Sequence, residues 1–147
     1  MNLINIYFLI GSKASFLNRF RDNEALYSQA QNFWNELDDS AYIFILLFLV
    51  LGIGLAWYYY QPFNNQPGRH YHPKYWLGGL IACIIITLFL TLIMAYLIAT
   101  PKLTGTWPLE LKLSLNNAIY SFITYIITSF IYCNIGLPTN AYRIFKI

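Results

Sequence analysis

From Trp76 to Ala99 the chain runs for twenty-four residues, WLGGLIACIIITLFLTLIMAYLIA, without one charged side chain. At ~1.5 Å rise per residue such a helix is ~36 Å long, enough to cross a hydrocarbon core of ~30 Å. The run predicts a transmembrane helix and constrains the rest of the chain. Further apolar runs cover 41–60 and about 115–137. The expected fold is therefore all-α, an integral membrane protein with three transmembrane helices preceded by an amphipathic N-terminal helix. The segments are an N-terminal region 1–40, helix 41–60, a Pro/Gly/His loop 61–75, helix 76–99, a loop 100–114, helix 115–137 and a tail 138–147.

Composition agrees: 58% of the 147 residues are hydrophobic and 10% charged, whereas soluble domains carry about 25% charged residues. A net charge of +3 is too mild and scattered for nucleic-acid binding. Cys83 and Cys133 both fall in apolar spans, where a thiol behaves as a small hydrophobe, so both are expected to be free.

MNLINIYFLI is apolar but too short to span, and it lacks the basic start and cleavage site of a signal peptide. It is expected to stay uncleaved and either to lie at the membrane surface or to pack against a partner. Phe16, Phe20, Leu26, Tyr27, Ala30, Phe33, Trp34 and Leu37 follow helical spacing, with a break expected at Asp22–Asn23. The polar face holds Gln29, Gln31, Asn32 and Glu36, not the lysines and arginines that grip anionic lipid. Asp38, Asp39 and Ser40 offer N-caps to the first span.

That span ends in Trp57, Tyr58, Tyr59 and Tyr60, and with Tyr71, Tyr75 and Trp76 these rings predict one membrane face, Trp107 the other. Gly52 and Ala56 allow close packing of the first two spans. His70 and His72 supply at most two ligands, with no Cys, Asp or Glu beside them, so no metal site is expected. Leu109, Leu111, Leu113 and Leu115 alternate with polar residues, which suggests a short extended segment or an interfacial lead into the third span, capped by Ser114 or Asn116.

Two rows of residues inside the spans carry the functional expectations. Gly79, Cys83, Thr87, Thr91 and Ala95 repeat every four positions. Such a small-residue row is a helix-packing seam, and a neighbour along it should cross at about −40°. Asn117, Ser121, Thr124 and Thr128 form a polar stripe within ~60° on a helical wheel. Lipid cannot satisfy these groups, so the stripe must face protein or water.

The spans contain no Asp, Glu, Lys, Arg or His, which argues against a pump or coupled transporter. No activated nucleophile, phosphate loop, zinc motif or haem-type Cys pair occurs, so neither an enzyme nor a cofactor is expected. The expected role is a non-catalytic integral membrane subunit that anchors or helps assemble a larger membrane complex. The alternative is a small homo-oligomeric channel or membrane-perturbing effector lined by the polar stripe. Expected partners are the lipid bilayer and other membrane protein subunits or copies of the chain itself. The expected compartment is a bacterial inner membrane, with a mitochondrial inner membrane as the alternative. Of the basic residues near the spans, Arg21, Lys102 and Lys112 lie on one side and Arg69, Lys74, Arg143 and Lys146 on the other. The positive-inside rule then puts the N-terminus outside and the C-terminus inside.

Overall fold

The computed structural model describes residues 3–64, 72–99, 103–135 and 144–145. Those residues are helical with no strand among them. In order they form a 3-10 turn Leu3–Ile6, α1 (Lys13–Leu17), a 3-10 turn Asn18–Phe20, α2 (Glu24–Asp39), α3 (Ala41–Tyr58) continued by a π-helical stretch Tyr59–Phe63, α4 (Pro73–Ala99) and α5 (Trp107–Asn134). Two stretches, Ala41–Phe63 and Pro73–Ala99, are long and apolar enough to cross a membrane. In each, only 22% of the most apolar window is buried within the chain, unlike the core helix of a soluble protein. α5 is as long, at 28 residues, but its amides and hydroxyls keep it from meeting the same description. The chain folds as two compact units, residues 1–46 with 88–117 and residues 47–87 with 118–147.

In the first unit the break before α2 falls where Asn23 leaves the helical conformation and its side chain accepts the Leu26 amide at 3.2 Å, satisfying one of the free donors at a helix start. Ser12 does the same for α1 through Ser15. α2 buries Ala30, Phe33, Trp34 and Leu37, one stripe at helical spacing. Phe16 sits against it, its ring 5.9 Å from Phe33 and 5.6 Å from Trp34. Gly11 adopts φ +81°, a left-handed turn suited to glycine, between the N-terminal segment and α1.

The N-terminal segment packs onto this unit through one face: Ile4, Tyr7 and Ile10 are buried while Ile6 and Phe8 stay exposed, and the Ile4 amide donates to Asp38 Oδ1 at 3.0 Å. Asp38 therefore anchors the N-terminus instead of capping α3, and Ser40 closes α2. Asp38→Ala should loosen residues 3–10 by about 1.5 kcal/mol, the low end of what a hydrogen bond to a charged group contributes, because this one is only part-buried. Hydrogen exchange at the Ile4 amide reads this, and unchanged protection would show that the bond contributes nothing.

The alternating leucines do not form an extended segment. The chain is helical from Trp107, with Leu109 N and Glu110 N bonded to the Thr106 carbonyl at 2.8 and 3.3 Å. Pro108 suits a first turn, where its missing donor has no partner to lose. Ser114 and Asn116, expected as caps, lie inside α5.

In the second unit the π-helical stretch coincides with Pro62, which has no amide to continue the ladder. The Asn64 side chain donates to the Tyr59 carbonyl at the start of this stretch. α4 begins at Pro73, three residues before the uncharged run, again with proline in the first turn. The core joins Ala56, Tyr59, Tyr60, Trp76, Leu80, Cys83, Tyr125 and Cys133. The aromatic residues expected at one membrane face are thus divided: Trp57, Tyr58 and Tyr75 are exposed, while Tyr59, Tyr60 and Trp76 are buried. Tyr71 lies outside the described residues. Burial wins for Trp76 because its indole N–H reaches Ser129 Oγ at 3.1 Å, so its polar group needs no water. Cys83 and Cys133 are free and buried.

Candidate functional site

The polar residues of α5 continue toward its N-terminus beyond the four expected ones. Glu110, Ser114, Asn117, Ser121, Thr124 and Thr128 alternate steps of four and three, and all except Thr124 are buried.

In the first unit, Asn117 is fully buried and its Nδ2 donates twice, to the Phe44 carbonyl at 3.0 Å and to Thr91 Oγ1 at 2.9 Å. One amide therefore ties α5 to α3 and α4. Ala95 is also fully buried. Beside Asn117, Asn116 is equally buried but neither its Oδ1 nor its Nδ2 has a partner. Glu110 is 2% exposed, and its Oε1 accepts from Thr106 Oγ1. A carboxylate in a first turn is also favoured by the helix dipole. An open pocket of about 290 Å³ lies between Glu110, Tyr96, Ala99 and the turn 103–107.

In the second unit the hydroxyls are largely satisfied along their own helices. Thr87 donates to the Cys83 carbonyl at 2.7 Å, Ser121 to Ala118 at 2.9 Å and Thr124 to Tyr120 at 2.8 Å, the back-bonding that lets Ser and Thr lie on an apolar helix. Between helices, Tyr125 donates to the Trp76 carbonyl at 3.2 Å, and Cys83 lies 3.9 Å from the Ser121 carbonyl. Gly52 and Gly79 both lie against α5. A Cβ on Gly52 would sit 2.7 Å from Thr124 Cβ, and one on Gly79 2.7 Å from the Tyr125 hydroxyl. Gly52 thus approaches α5, although its spacing with Ala56 suggested a contact with α4.

The small-residue row and the polar stripe are therefore occupied by the chain's own helices: Gly79 with Tyr125 and Cys83 with Ser121 in one unit, Thr91 with Asn117 in the other. Chemically the arrangement binds helix to helix. No group of three or more His, Cys, Asp or Glu able to hold a metal occurs among the described residues. His70 lies outside them, and His72 is exposed, its ring 6.0 Å from that of Tyr75.

From the sequence, Glu110 and Ser129 are not expected among the buried polar residues, and Asn116 is expected only as a helix cap. The signal for Glu110 was present: it continues the four-and-three spacing of the stripe, but the alternating leucines around it suggested strand. Asn116 and Ser129 carry no pattern of their own, and only the tertiary structure buries them. No protein-family model, curated protein or solved structure matches the chain.

Proposed function

We propose that this chain is a three-span, non-catalytic membrane protein that anchors or helps assemble a larger membrane complex. The observation that carries this reading is the distribution of side chains. Amides, hydroxyls and a carboxylate are buried, while large apolar residues face outward: Leu46, Val50 and Ile53 on α3, Ile85, Phe89 and Ile93 on α4, and Ile119, Ile127 and Phe130 on α5. Exposed apolar surface on this scale needs lipid or protein around it. α5 joins the two more apolar helices as a span because its polar groups are turned inward and mostly paired, the condition for polar residues in a bilayer. In this reading the chain meets its partners through its surface outside the bilayer. An open polar cleft of about 350 Å³ along α2, between Gln29, Asn32, Asn35, Glu36 and Asp39, is the surface proposed for that contact.

Two measurements test this. Single cysteines at Ser28 and Lys146, with Cys83 and Cys133 replaced, should label from opposite sides of a bacterial inner membrane, Ser28 from outside. Labelling from the same side would mean an even number of spans, and labelling of Lys146 from outside would invert the topology. Mild-detergent purification should bring a reproducible set of other chains, and Gln29→Arg with Asn32→Arg should release them without lowering the melting temperature. Purification of the chain alone or as a homo-oligomer would sink the subunit reading.

A further inference from the structure

We infer that the second unit carries a binding site for an anionic phospholipid, with Lys74 holding the phosphate and a groove along α4 holding an acyl chain. The site rests on the proposal that α3 and α4 lie in a bilayer.

The charge distribution gives the first reason. All six acidic side chains of the sequence fall in the first unit, whereas the second contains Arg69, Lys74, Arg143 and Lys146 and no Asp or Glu. Lys74 has no Asp or Glu side chain to meet in its own unit. Its ammonium lies 5.2 Å from the centre of the Tyr75 ring, a contact that leaves its hydrogen-bond donors free for an anion.

The groove gives the second. Lys74, Gly78 and Ala82 succeed one another at steps of four on α4, so a cationic group stands at the head of a strip of small residues ~12 Å long. The strip lines a nearly wholly apolar groove of about 340 Å³, at the lower end of ligand-sized cavities. A Cβ at Gly78 would meet nothing within 4 Å, so the space beside the backbone is open. Leu55 and Tyr58 of α3 and Phe63 of the π-helical stretch form the facing wall. The Phe63 ring meets Tyr75 at 5.3 Å, beside the lysine. Aromatic rings and a lysine at the mouth with an apolar channel beneath match a lipid: phosphate at the headgroup level and hydrocarbon below. An apolar helix of another protein would fill the channel but leave the ammonium without an anion.

The full chain, purified in detergent and reconstituted into phosphatidylcholine vesicles containing phosphatidylglycerol, provides the test. Vesicle flotation first checks membrane insertion, and native mass spectrometry then counts the lipid retained. The wild type should retain phosphatidylglycerol over phosphatidylcholine by about fivefold, the size of effect of one lysine near a lipid surface. Lys74→Gln should abolish the preference while phosphatidylcholine is still retained, and Gly78→Leu should lose both lipids by filling the channel. Gly54→Leu, another open glycine, should leave retention unchanged, with equal melting temperatures showing that all variants fold. A preference for phosphatidylglycerol that survives in Lys74→Gln, or retention of either lipid by Gly78→Leu, would overturn the site while the membrane reading stands. A wild type that floats but shows no preference would do the same. A chain that does not float would overturn both.

Discussion

Gly52→Leu is expected to lower stability by about 3 kcal/mol, the upper end of the usual cost of overpacking a core. The new side chain would meet Thr124 at its Cβ and Cγ2, 2.7 and 2.8 Å from the first added carbon, with the Ser121 carbonyl at 3.1 Å. Neither a Cβ nor a main-chain oxygen can rotate away, so α3 and α5 would have to separate there. Gly54→Leu, two residues on, meets nothing within 4 Å and should melt with the wild type. Gly79→Ala belongs between them. Its obstacle is the Tyr125 hydroxyl, the far end of a side chain, which can move aside at the cost of its bond to the Trp76 carbonyl, about 1 kcal/mol. Equilibrium unfolding in mixed micelles gives all three values. If Gly52→Leu were as stable as Gly54→Leu, the close approach of α3 to α5 would be wrong.

Neighbouring asparagines in α5 should respond to leucine with opposite signs. Asn117→Leu removes the amide that bridges to the Phe44 carbonyl and Thr91 Oγ1. It should cost about 1–2 kcal/mol, at and somewhat above what single hydrogen bonds between membrane helices contribute, because two are lost. Asn116→Leu removes an amide buried without a partner and substitutes a side chain of similar size. It should stabilise the protein by about 1–3 kcal/mol, the penalty of an unsatisfied buried polar group. The same unfolding titration compares them, and a destabilised Asn116→Leu would mean that this amide has a partner after all.

The residues that mislead the sequence reading do so for identifiable reasons. Leu109 to Leu115 alternate with polar residues as a strand does, yet they form helix: Thr106 and Pro108 start it, and Glu110 and Ser114 turn inward with Leu109 and Leu113. Over seven residues the two periods share too many positions to be told apart. Asp38 stands where an N-cap for α3 is expected, but the Ile4 amide, thirty-four residues away in the chain, takes its carboxylate. Trp76 has the place in sequence of an interfacial ring, and a hydroxyl fifty-three residues on draws it inside.

The sequence by itself determined that this chain is helical, how long its apolar stretches are, and which helix faces are small or polar. These are properties of spacing along a single helix, set by side-chain period and by the absence of charge. Only the tertiary structure decided what those faces meet. The Gly52 edge meets Thr124 on α5, the stripe at Asn117 closes on Phe44 seventy-three residues away, and Asn116 is buried without a bond. The physical reason is that a small or polar face states a need, for close approach or for a hydrogen-bond partner, and any of several helices of this chain or another could meet it. Which one does depends on how the backbones come together in space, and no local spacing encodes that.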